Sequence, residues 1–332
     1  ATTGERNVAL GYAALSADTK GNRSVAIGYE ALGTQNFSTS TDNYNVAIGY
    51  LAGNVISTGL RNTIVGGLAG DVLTDADENT AVGYGALSTD TLGSKSTAIG
   101  RSALGTQNFS TATDSYNTAL GFYAGLEVTT GQYNTILGAN AGDALTTGAS
   151  NVAVGFRALS AEDGHSANTA VGESALRALN AGANGHNTAV GFSAGTALTT
   201  GLQNTLIGSQ AGDALTDADF NVVLGYDALT ADTKGSRSTA LGYKTLFAQN
   251  FTTATDSYNT AVGFEAGSSV STGTQNTLIG GLAGNAITTG VQNIVLGYNS
   301  DVDTGSADNR FGIGINLSLT AGSTIKIGNA ST

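Results

Sequence analysis

Asn117-Thr118-Ala119-Leu120-Gly121 is one instance of a five-residue phrase that the chain repeats seventeen times. The phrase is a polar residue (Asn or Ser), then Val, Thr or Ile, then a mostly small apolar residue, then Leu, Ile or Val, then Gly. Its polar residues are Asn7, Ser24, Asn45, Asn62, Asn79, Ser96, Asn117, Asn134, Asn151, Asn168, Asn187, Asn204, Asn221, Ser238, Asn259, Asn276 and Asn293. The step from one to the next is seventeen in twelve of the sixteen intervals, as from Asn45 to Asn62; three steps are twenty-one and one is nineteen. A fixed period this short means one structural coil per repeat, stacked on its neighbours. Val-, Ile- and Thr-rich runs closed by Gly read as short strands, and a period this short leaves no room for a strand, a helix and their turns. The expected fold is all-β: a parallel β-solenoid of about seventeen coils.

Outward from the phrase, the columns carry further information. The residue before the Gly is always a branched aliphatic, from Leu10 to Leu296, and is expected inside the coil. Three residues after the Gly comes Ala in fifteen of seventeen coils, with Thr245 and Ser300 as exceptions. A column held at Ala lies where something approaches too closely for a larger group. The residue just after the Gly is Tyr or Phe in eleven coils, among them Tyr12, Tyr50, Phe122 and Phe192. The Asn column suits stacked side-chain amides, each donating to a neighbouring coil. Such stacking satisfies buried polar groups that would otherwise cost about 1–3 kcal/mol each.

A second period overlies the first. Ser24, Ser96, Asn168 and Ser238 each begin a block of four coils, one long and three at the basic period. The third coil of each block has a large residue in the strand (Ile64, Ile136, Leu206, Leu278) and a small one in the aromatic column (Gly67, Ala139, Ser209, Gly281). This reads as volume traded within one packed layer. Residues 1–308 are taken as the repeat domain. It starts mid-coil, because Thr2-Thr3-Gly4-Glu5-Arg6-Asn7 matches Thr199-Thr200-Gly201-Leu202-Gln203-Asn204, so coils upstream are expected. Residues 309–332 switch to a period of two, with a turn at Ala321-Gly322-Ser323 and a strand at Ile325-Lys326-Ile327, and are expected to be a cap or a transition segment.

Composition narrows the function classes. Gly is 48 of 332 and charged residues are 11%, yet apolar residues reach 40% and fall in register, so a packed core is expected rather than disorder. Pro is absent, so nothing interrupts a backbone ladder. Cys is absent too, which excludes disulfides and thiolate metal sites. A net charge of −12 argues against nucleic acid, whose binding rests on Lys and Arg. No long unbroken apolar run is present, so no membrane insertion is expected in this segment.

The phrases Ser24-Val25-Ala26-Ile27-Gly28 and Asn45-Val46-Ala47-Ile48-Gly49 resemble the YadA-like head repeats of trimeric autotransporter adhesins, and similar repeats occur in phage tail fibres. The likeness covers residues 1–300. It implies a left-handed β-roll, three chains around one axis, and surface attachment. The coils here are longer than that family's, Asn mostly replaces its Ser, and residues 1–332 themselves carry no stalk, neck or anchor pattern. If the chain is a homotrimer, the Ala-rich strand is expected to face the shared axis, since small residues permit close approach.

Candidate chemistry is sparse. The two histidines, His165 and His186, have no local context for a catalytic triad and are read as solvated loop residues. No phosphate-binding loop occurs, and no cofactor and no enzymatic activity are expected. Asp75 and Asp77 cluster in one turn, and Asp217 and Asp219 repeat it, which makes them weak metal candidates. The matching turns of other blocks lose the ligands, so solvated turns are the plainer reading. A Thr column (Thr63, Thr80, Thr97) suggests an ice-binding face, but Val8, Val46 and Val152 interrupt it. The long coils carry Asn36-Phe37, Asn108-Phe109 and Asn250-Phe251 in loops rich in Ser and Thr. Either these Phe are exposed platforms, making the six residues partner-binding candidates, or they tuck against the coil or a neighbouring chain. The expected role is the head or shaft of a trimeric extracellular fibre, an adhesin or virion tail fibre meeting a host surface, polysaccharide or matrix protein. The alternative is a filament subunit stacking end to end.

Overall fold

The computed structural model describes residues 3–182, 184–320 and 325–328. Every strand pairs in parallel with the coil next to it, and no helix occurs among the described residues. The chain forms two compact units, Ala1–Ser166 and Ala167–Thr332. Among the described residues the first stacks nine three-residue strands, from Val8–Leu10 to Val152–Val154, and the second stacks ten, from Thr169–Val171 to Ile325–Ile327. The fold is a parallel β-solenoid of about nineteen turns, all but the last of which keep the spacing of the repeat phrase; the step from Phe311 to Ile325 is shorter. Two turns beyond the seventeen expected come from the segment after residue 309. Phe311–Ile313 pairs in register with Ile294–Leu296, and Ile325–Ile327 with Phe311–Ile313. The turn expected at Ala321-Gly322-Ser323 lies outside the described residues.

Register is strict, with phrase over phrase: Thr118 faces Thr135, Ala119 faces Ile136 and Leu120 faces Leu137. The closing Gly shows why the repeat cannot drift. At Gly28 φ is +135°, and an added Cβ would run into the carbonyl oxygen of Gly49 in the next coil. Only a residue without Cβ both adopts this turn and permits the stacking distance.

The strand faces are the reverse of those expected. The middle residue points into the coil: Ala26, Ala47, Ile64, Ala81, Ala98, Ala119, Ile136 and Ala153 are fully buried, as are Ala170, Ala189, Leu206 and Val223 in the second unit. The aliphatic before the Gly points out, leaving Leu120 44% and Leu224 50% exposed. Side chains alternate along a strand, so burying the small middle residue exposes both flanks. The Ala-rich strand column is therefore the lining of each coil and is not free to face a shared axis.

Two interior columns fill the space this lining leaves. Four residues after the Gly, the coils run Leu, Leu, Gly, Gly in turn, starting one coil before each block, as in Leu15, Leu32, Gly53 and Gly70. The Leu members sit at positive φ, Leu32 at +49°, which is strained for any residue with a Cβ, yet they are buried. Seven residues after the Gly, the same four coils read Asp, Gln, then two aliphatics in three sets of the four, as in Asp18, Gln35, Ile56 and Leu73. Where the first column is Leu the second is polar, Leu176 with Leu179 excepted; where it is Gly the second is a large aliphatic. The large strand residue of each third coil also belongs to this interior. A Cβ on Gly125 or Gly142 would press on Cδ1 of Ile136. Gly67, by contrast, lies in the outer aromatic column beside Tyr84. The volume trade is real, but it is made with the interior glycines and not within a layer shared with the aromatics.

Candidate functional site

The amide ladder runs as its residue type dictates. Asn62 is fully buried; its Nδ2 donates to Ala76 O at 2.7 Å and its Oδ1 accepts the Asn79 N–H at 2.9 Å. The same pair of bonds recurs at Asn134, Asn187, Asn204 and Asn276. Each of these buried amides thus finds a donor and an acceptor one coil on.

Where Ser replaces Asn, a second device appears. Gln107 Nε2 donates to Asp90 Oδ2 at 2.6 Å and to Ser96 Oγ at 2.8 Å, while its Oε1 accepts from Asn117 Nδ2 at 2.9 Å. Asp18, Gln35, Ser24 and Asn45 repeat this network, as do Asp232, Gln249, Ser238 and Asn259. Burial pushes the Asp90 carboxyl above its ordinary value, and the Gln107 amide and the backbone N–H groups of Phe109, Gly93 and Leu92 oppose that shift. These networks were not anticipated from the sequence. The available signal was an acid and a Gln at the same place in consecutive coils, always with Ser in the phrase.

The long-coil loops resolve into two halves. Phe37, Phe109 and Phe251 are only 4–6% exposed. Two of them are visibly drawn in by their networks: the Phe109 N–H donates to Asp90 Oδ1 at 3.2 Å and the Phe251 N–H to Asp232 Oδ1 at 3.1 Å. All three are core residues and not contact platforms. Asn36, Asn108 and Asn250 remain exposed, each accepting a Thr hydroxyl from the preceding coil (Thr19, Thr91 and Thr233). The inserted residues pair as short strands, for instance Thr113–Asp114 with Gly93–Ser94.

The acidic turns do not converge. Asp75 and Asp217 are exposed and each accepts a Thr hydroxyl, while Asp77 and Asp219 each accept a backbone N–H from the preceding coil at 2.7 Å. Their oxygens extend the coil-to-coil ladder. Among the described residues one acidic and histidine group is close-set, Glu162, Asp163 and His165. His165 is not a free loop histidine, because its ring pairs with the buried Glu162; His186 is exposed.

The outer face of the strand ladder carries exposed apolar side chains. In the first unit the outward aliphatics are flanked by Tyr12, Tyr29 and Tyr50, stacked with ring centroids 5.2 and 5.5 Å apart. In the second, Tyr226, Tyr243 and Phe264 stack in the same way at 5.7 and 5.2 Å. Beside this stack a depression of about 420 Å³ is lined by Lys244, Phe247, Glu265 and Ser268, with Lys244 Nζ 5.1 Å from the Phe247 ring centroid. Among the described residues no helix is long and apolar enough to cross a membrane. No family model matches the chain, and the searches of curated proteins and of solved structures return no match.

Proposed function

We propose that the chain is a structural and attachment protein, the head or shaft of an extracellular fibre, and that it works as a homotrimer without catalytic activity. The observation that carries this reading is the outward apolar face of each ladder. Leu10, Ile48, Leu120 and Leu137 in the first unit, and Leu224 and Ile279 in the second, stand exposed in file beside exposed Tyr and Phe. Contiguous apolar surface beyond a few hundred Å² is rare on monomers and marks an interaction face. A periodic face is matched best by another copy with the same period, and three copies is the number the repeat phrase implies through its resemblance to adhesin heads. With the aliphatics against copies of the chain, the exposed Asn36, Asn108 and Asn250 and their Ser- and Thr-rich loops are left for a host surface, polysaccharide or matrix protein. Weak contacts repeated from block to block add as avidity.

Sedimentation equilibrium tests the association. The expected species has three times the 33.0 kDa of one chain. A stable monomer at micromolar concentration would overturn the reading. Electron microscopy separates it from end-to-end assembly, which would give continuous filaments instead of particles of one length.

A further inference from the structure

The coils of Asn151 and Asn168 break the Asp–Gln pattern in three places at once. Asp18, Asp90 and Asp232 become Glu162; Gly21, Gly93 and Gly235 become His165; Gln35, Gln107 and Gln249 become Leu179. In the other three coil pairs the second carboxylate oxygen always has an amide donor, with Gln Nε2 at 2.6–2.7 Å. Glu162 is just as buried, but only one of its oxygens is served. Oε1 accepts the His165 N–H at 3.1 Å and lies against His165 Nδ1, while Oε2 is buried with no partner. Asp163 Oδ1 stands 3.7 Å from the same Nδ1, and Asp163 is exposed. One ligand atom from each of the three residues falls within 4.8 Å of the others.

We propose that Glu162, Asp163 and His165 form a divalent-metal site of the zinc class. A buried carboxylate oxygen without a donor is costly, and a cation supplies the missing partner. Zn²⁺ takes mixed imidazole and carboxylate ligands in fours, with water completing the set where the protein gives three. Ca²⁺ asks for six to eight oxygens and Mg²⁺ for an octahedron of them, which one turn holding a histidine does not supply. The metal would bind the Nδ1 lone pair, leaving the imidazole proton on Nε2, and the two carboxylates would neutralise its charge. Asp163 opens the site to solvent, so the ion enters without unfolding the coil. The co-variation carries the weight. If His165 merely replaced the lost Gln as a donor to Glu162, Oε2 would not be left bare.

The test uses the full chain, freed of metal with a chelator and titrated calorimetrically with Zn²⁺, Ca²⁺ and Mg²⁺. One Zn²⁺ per chain is expected, with a rise in melting temperature. Loss of a single outer-shell partner lowers metal affinity about 10–100-fold, and Glu162→Gln and His165→Ala should each lose more than that. Because those variants disturb a buried turn, imidazole ¹⁵N spectra of the unaltered protein provide an independent readout. Zn²⁺ should shift one ring nitrogen of His165 and leave His186 unmoved. Absence of Zn²⁺ heat, undiminished binding in His165→Ala, or a shift confined to His186 would each overturn the proposal.

Discussion

Substituting Asn62 by Ala tests whether the amide ladder holds the coils together. The substitution removes the acceptor of the Asn79 N–H and the donor to the Ala76 carbonyl, both within the first unit. Neither group has another partner among the described residues, and the Asn62 position is fully dry. Each orphaned group costs about 1–3 kcal/mol, so the loss should be about 2–6 kcal/mol. Solenoids do not unfold in one step, so the informative assay is local: amide hydrogen exchange at Asn79. The low end of that range already means about 30-fold faster exchange there. Asn62→Asp sharpens the test. It keeps the acceptor for Asn79 but turns a carboxylate oxygen toward the Ala76 carbonyl in a buried site, and should be worse than Ala. An exposed control, Asn108→Ala, should stay within about 0.5 kcal/mol. The reasoning fails if Asn79 keeps its protection in Asn62→Ala, or if Asn62→Asp is the milder of the two.

Three further outcomes follow from the same geometry. Ala153→Asp buries a charge inside a coil and should cost several kcal/mol in thermal melts, whereas Val154→Asp, on the outer face, should leave the melt nearly unchanged and weaken self-association measured by sedimentation; the reverse order would put the strand faces back as the sequence suggested. Gln107→Leu strips the amide donor from Asp90 Oδ2 and should cost about 3 kcal/mol in a melt, the upper end for leaving a buried acceptor unsatisfied, because the acceptor is a carboxylate. Adding Asp90→Leu should recover part of that loss, and a double variant no better than the single one would speak against the pair. Burial holds the carboxyls of Asp71, Asp90, Asp143, Asp213 and Asp301 above their ordinary value. A carboxyl raised in the folded state stabilises it when protonated; the gain is complete below the unfolded value and is lost as pH rises through the folded one. Mild acidification from neutral pH should therefore raise the melting temperature, as scanning calorimetry across that range would show, and relief of the −12 net charge acts in the same direction.

The coil, its period and its parallel stacking were legible in the sequence, because a Gly that no other residue can replace and an amide that must be satisfied repeat at one spacing. The strand faces were not legible. A column restricted to Leu, Ile and Val looks like an interior, and only the structure places Leu120 outside and Ala119 within. The ambiguity is physical: period two says that neighbours lie on opposite faces, not which face is dry. A face covered by another chain selects the same residues as a core. The long-coil Phe stayed open between an exposed and a tucked reading for a related reason. Phe109 stands in a polar loop, and nothing local shows that Asp90, one coil earlier, draws its backbone inward. The Leu at positive φ, such as Leu32 and Leu104, were invisible because that conformation argues for Gly, and the neighbouring coils do use Gly there.

The buried Asp–Gln pairs have a consequence for how such a chain reaches its native state. Coils this alike compete for one another's places, and a growing stack could skip a coil and still form most of its ladder. Skipping one would set Asp90 over an aliphatic such as Val128, leaving a carboxylate in a dry interior with no donor. The same slip would bring Leu104 and Gly125 out of step with the residues that complement their volumes. Alternating charge, amide and hydrocarbon through each block makes every near-miss register a poor one, so the polar pairs act as indexing marks. An error then survives only as a jump of a whole block, and the pair of coils with Glu162, His165 and Leu179 is keyed differently from its three counterparts.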